Sequence, residues 1–139
     1  MRALLSKGAV RVIGTLVGLG VLPLAVPAAP LDGSAPMLCA FSSVMECSRR
    51  GDCERSTAED VGMPPFVRVN VQQRLLSSLD GGRTSPITGL QRANGRLMIQ
   101  GMQNERVWGA VIDEQTGQMS ATAGEADGAI VISGTCIAP

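Results

Sequence analysis

The sequence predicts an all-β domain, a small antiparallel meander that closes as a barrel or, with the same strand count, folds over as a β-sandwich. Three observations lead there. Short runs of alternating apolar and polar residues recur at close spacing after residue 65, turn-forming residues separate them, and no helical period is long enough for the crossovers of a parallel sheet. At 139 residues, one domain is the expected number.

The first 28 residues stand apart from that domain. Arg2, Lys7 and Arg11 form a basic leader, residues 12–24 are an uncharged stretch, and Pro23 precedes a small-residue region. This order is that of a secretory signal peptide. Cleavage after Ala28 sets Val26 and Ala28 at the small-residue positions with no proline just beyond the cut. An uncleaved anchor is the weaker reading, because thirteen residues fall short of the roughly 20 that a spanning helix needs. Residues 29–37 then read as a flexible N-terminal segment and 38–139 as a single disulfide-stapled β domain.

A first strand is expected near residues 38–44. Ser56 followed by Glu59 fits a capping box for one short helical turn, which Gly62 ends before Pro64 and Pro65 forbid extension. Val67, Val69 and Val71 alternate with Arg68 and Asn70, the period of a half-buried strand. Residues 74–79 form the next run, ended by the turn residues Asp80-Gly81-Gly82. Residues 86–90 read as a short edge strand, and Asn94-Gly95 is the strongest hairpin signal because both residues tolerate positive φ. Strands at 96–102, 106–112, 118–123 and 129–137 complete the meander. Gly101, Gly109, Ala121, Ala123 and Gly134 suit tight curvature and argue against a large ligand cavity.

All four cysteines lie beyond the predicted cleavage site, so an even count in an oxidising compartment reads as two disulfides. Three connectivities exist. Proximity favours Cys47 with Cys53, which leaves Cys39 for Cys136 and would set the first and last strands side by side, as barrel closure requires. Spacings of eight, six and eighty-three positions are not the paired C-x-x-C of zinc sites, so no metal site is expected.

Composition removes several chemistries. Without histidine, no Ser-His-Asp or Cys-His arrangement and no His-ligated metal can be built from this chain. Lys7 is the only lysine and leaves with the leader, which takes Schiff-base and P-loop chemistry with it. The mature chain carries nine arginines against twelve acids, a net charge of −3, with no basic patch for nucleic acid. No cofactor is called for.

Five places remain for function. Closed by a disulfide, Cys47-Ser48-Arg49-Arg50-Gly51-Asp52-Cys53 would present Arg49, Arg50 and Asp52 on a constrained loop, losing little entropy on binding. Such a loop suits a protease inhibitor offering an arginine, or an Arg-Gly-Asp adhesion motif of the type integrins recognise, or simply a wet surface turn. Glu59-Asp60 and Asp113-Glu114 are the adjacent carboxylate pairs, with cap and turn roles as the plainer reading. Ser42-Ser43 has no base near it in sequence, and Trp108 reads as a core or face residue of its strand.

The segment Trp108-Gly109-Ala110-Val111-Ile112-Asp113-Glu114-Gln115-Thr116-Gly117-Gln118-Met119-Ser120 resembles a stretch of small exported proteins of Gram-negative bacteria that have no assigned function. The likeness extends loosely over residues 38–136, including the early and late cysteines. It implies a periplasmic or secreted location, with no catalytic residue to carry over.

The expectation is therefore an exported, non-enzymatic binding or accessory protein of the envelope, acting as a monomer with no membrane span after cleavage. Its partner would be an envelope protein or a small ligand. The alternatives are a carboxylate-dependent envelope hydrolase and a small protease inhibitor acting through the Cys47–Cys53 loop. Denatured mass spectrometry of the exported protein is expected to show a chain starting at Ala29 and gaining four hydrogens on reduction. An intact leader or an unchanged mass on reduction would contradict the reading.

Overall fold

Period-two alternation governs the strands. The computed structural model describes residues 29–139, so the expected signal peptide lies outside the described residues. Nine strands succeed one another in the chain: β1 (Met37–Ser48), β2 (Cys53–Ser56), β3 (Phe66–Asn70), β4 (Leu75–Ser78), β5 (Thr84–Ala93), β6 (Arg96–Gln103), β7 (Arg106–Asp113), β8 (Gln118–Gly124) and β9 (Gly128–Ile137). In β9, Ile130, Ile132 and Cys136 are buried while Val131, Ser133, Thr135 and Ile137 face out, the pattern of a sheet with one wet face.

Each strand from β3 to β9 pairs antiparallel with the next, and β9 then pairs with β1, which also pairs with β3. That circuit is an eight-stranded closed barrel, with β2 as an extra strand, and it decides between barrel and sandwich. The twelve-residue β1 makes closure possible because it serves several neighbours. One edge runs along β9 from Leu38 to Ser48, with a register shift between Phe41 and Ser43. The other edge pairs Met37 to Ala40 with β3 and Val44 to Cys47 with β2.

Both disulfides lock residues that the sheet already sets opposite one another. Cys39 faces Cys136 across the β1/β9 seam with a Cα–Cα distance of 3.9 Å, and Cys47 faces Cys53 across the β1/β2 hairpin at 4.1 Å. Asn94 and Gly95 adopt φ of 52° and 71°, as the expected hairpin between β5 and β6 requires. Of residues 29–37, Leu31 packs against the core and Met37 opens β1 fully buried, so this segment lies across the barrel end near Gly117. Gln72 Nε2 donates to the Ser34 carbonyl at 2.7 Å and ties it there.

The helical turn expected after Cys53 is corrected. No helix occurs among the described residues. Ser56 is instead the last residue of β2, held by pairing with Val44, so the cap moves one residue on. Thr57 Oγ1 accepts from the Asp60 amide at 3.1 Å and donates to the Asp60 carboxylate at 2.7 Å. Residues 57–63 make a hydrogen-bonded turn, with Met63 N donating to Ala58 O, that buries Ala58 and Val61 against the barrel.

The two bridges close loops of very different length, with separations of 97 and 6 residues. Chain-entropy reasoning assigns about 4–5 kcal/mol to the long loop and about 2 kcal/mol to the short one. Urea unfolding of the Cys39→Ala/Cys136→Ala and Cys47→Ala/Cys53→Ala variants should show the larger loss in the first. Equal losses would mean that loop length does not set what each bridge contributes.

Candidate functional site: a cavity at one end of the barrel

Trp108 organises the interior at the end of the barrel opposite the N-terminal segment. It lies on β7 directly across from Gly101 on β6. A Cβ at Gly101 would sit 2.5 Å from Trp108 Cζ2 and would also meet the Pro86 carbonyl, so the missing side chain is what admits the indole. The indole Nε1 donates to Ser85 Oγ at 2.8 Å, which satisfies a hydroxyl that is only 2 % exposed.

On the other side of Trp108 the inward positions of β7 and β8 are small. Trp108 is opposite Ala123, and Ala110 is opposite Ala121. With no large side chain reaching across, a cavity of about 730 Å³ remains, floored by Val69, Ile99, Met119 and Ile132 and bordered by Trp108. This corrects the expectation that small strand residues oppose a large cavity. Gly101 and Gly134 are filled by their neighbours as expected, but Ala121 and Ala123 open into empty volume.

The mouth is polar. Residues 61–64 of the turn before β3 form one lip, and Arg83, Gln103, Asn104 and Arg106 line the others. Arg83 Nη1 donates to the Gly62 carbonyl at 2.6 Å, and Gln103 Nε2 donates to the Thr84 carbonyl at 2.9 Å. Arg106 pairs with Glu125 and reaches the Val61 carbonyl at 3.5 Å. No Asp or Glu lines this cavity.

The residues singled out in the sequence lie elsewhere. Arg49, Arg50 and Asp52 sit on the exposed tip of the β1/β2 hairpin, closed by the Cys47–Cys53 bridge and by Ser48 N donating to Asp52 O at 2.9 Å. Arg49 is tied down, its amide donating to Asp127 O and its Nη2 to Ala126 O at 3.1 Å, whereas Arg50 and Asp52 project freely. Asp113 ends β7 while Arg106 begins it, so the Asp113-Glu114 pair is a strand length away from the cavity mouth. Asp113 Oδ1 accepts from the amides of Thr116 and Gln115 and from the Thr116 hydroxyl, as a turn residue does. Glu114 pairs with Arg92 at 2.8 Å. Glu59 borders a shallow depression beside the mouth with Asp80 and Arg83, and Asp60 is taken by Thr57. Ser42 Oγ donates to the Ser133 carbonyl. Among the described residues, no cluster of His, Cys, Asp or Glu could hold a metal ion.

Comparison of the chain with protein-family models, curated proteins and solved structures finds no match. The site is therefore read from its own geometry.

Three turn carboxylates are held below the usual carboxylate range. For Asp113 the cause is chiefly the Thr116 amide, for Asp80 the Ser78 hydroxyl, and for Asp32 the Ser34 hydroxyl. A depressed folded-state pKa adds stability that is present above the ordinary value of 3.8 and lost as pH falls through the lower folded value. The urea midpoint should thus hold down to about pH 5 and fall in the acid range. Asp113→Asn should be less stable than the parent at neutral pH and lose less on acidification. An acid slope identical to the parent's would show that the Asp113 turn is not responsible.

Proposed function

We propose that this chain is an exported, non-enzymatic binding protein of the bacterial envelope that carries a small, largely apolar molecule in its barrel. The observation that supports this reading is the cavity: its volume is in the range of about 300–1,000 Å³ typical of small-ligand sites. An apolar interior with a few polar groups at one rim is the usual design of such sites. The two disulfides are compatible with an oxidising, exported location. Absence of carboxylates from the cavity weighs against the hydrolase alternative, because a carboxylate mechanism needs such groups facing a substrate. For the inhibitor alternative, the tethering of Arg49 leaves Arg50 as the arginine available to a protease.

Trp108 is the chain's one tryptophan and borders the cavity, so its fluorescence reports directly on occupancy. Titration with a neutral apolar probe, 1-dodecanol, below its solubility limit should change that emission saturably at one equivalent. Ala121→Phe, which sets a ring inside the cavity, should weaken the response several-fold while leaving a folded barrel by circular dichroism. No saturable response in the parent protein, together with native mass spectrometry of the exported protein showing only the bare monomer, would overturn the carrier reading.

A further inference from the structure

The cavity mouth is electrically one-sided. Arg83 and Arg106 both line it, and no acid does. Arg106 is already paired, its guanidinium contacting Glu125 through Nε and Nη2. Arg83 is not: among the described residues no carboxylate lies within ion-pair distance of it, and its one hydrogen bond, from Nη1 to the Gly62 carbonyl, leaves Nε and Nη2 unused. Asp80, the nearest acid in sequence, shares the neighbouring depression with Arg83 and interacts with it electrostatically, but makes no ion pair with it: its Oδ1 is engaged by the Ser78 hydroxyl and the Gly82 amide. A guanidinium fork with adjacent free donors matches a planar carboxylate in two-point geometry.

The rest of the cavity runs from this charge into apolar surface. Trp108, Ile99, Met119 and Ile132 line the same cavity as Arg83. Charge at the wet rim over an apolar interior fits a molecule with the same division.

We propose that the ligand is a single-chain amphiphile with a carboxylate head, its hydrocarbon tail in the barrel and its head on Arg83. This rests on the carrier reading and specifies its ligand class. One guanidinium outside any ion pair balances one negative charge, which favours a carboxylate monoanion over a phosphate monoester of about −1.5 to −2. Removal of lysine with the leader leaves arginine as the mature chain's only side chain with a permanent positive charge.

Matched twelve-carbon probes separate head from tail. Dodecanoate, dodecyl phosphate and dodecyltrimethylammonium are titrated below their micelle concentrations and 1-dodecanol below its solubility limit, with Trp108 emission as the readout. Dodecanoate is expected to bind about tenfold more tightly than dodecanol, a difference that a charge-assisted hydrogen bond supplies. Arg83→Gln should erase that difference while leaving dodecanol affinity unchanged. Arg92→Gln, at the opposite end of the barrel, should leave both unchanged. Dodecanol binding as tightly as dodecanoate, dodecyl phosphate or dodecyltrimethylammonium binding more tightly, or an undiminished preference in Arg83→Gln would overturn this inference while leaving the carrier reading intact. Binding by none of the four, together with only the bare monomer in native mass spectrometry of the exported protein, would overturn both.

Discussion

The seam between β1 and β9 is the constraint on which the rest of the structure depends. From β3 to β9 every barrel neighbour is the next strand along the chain, and β1 reaches β3 past only the short β2 and one turn segment. Only β1 and β9 must find each other from opposite ends of the domain, and until they do both present open edges. Ten residue pairs and the Cys39–Cys136 bridge hold that seam, with Cys39 and Cys136 buried in it. Closure converts a meander into a walled interior, and without a wall there is no cavity.

The contents of the interior are set by which side chains fail to reach its centre. Gly101 yields its volume to Trp108, and Gly134 yields to Met119 and to the β1 backbone, so those positions are closely filled. Ala110 and Ala121 face each other with no compensating large residue between them. Protein interiors ordinarily pack without such voids, because unfilled volume forfeits dispersion contacts. A cavity of about 730 Å³ in so small a domain departs from that rule, and the rim arginines give it a polarity.

Much of the strand order was legible from residue 66 onward, where Val67-Arg68-Val69 and Leu97-Met98-Ile99 alternate and Asn94-Gly95 marks its turn. The pairings of the cysteines were legible too, from count and proximity. The short strand β2 was not, since Cys-Glu-Arg-Ser carries no alternation and is ordered by register with β1. Ser56-x-x-Glu59 misled for the same reason: cross-strand pairing claimed Ser56, and Thr57 took the cap. The cavity was invisible because alanine on an inward face looks alike whether a bulky neighbour or nothing lies opposite.

By itself, the sequence determined the all-β class, because two-residue periodicity and turn chemistry are local properties of the chain. It also determined what chemistry was missing, since a chain without histidine and without lysine beyond residue 28 cannot assemble the sites those residues make. Tertiary structure decided that the sheet closes on itself, that Trp108 stacks over Gly101, and that Arg83 and Arg106 meet at one rim from different hairpins. These are long-range facts. They depend on which face of one strand meets which face of another across the barrel, and no window of consecutive residues contains that information.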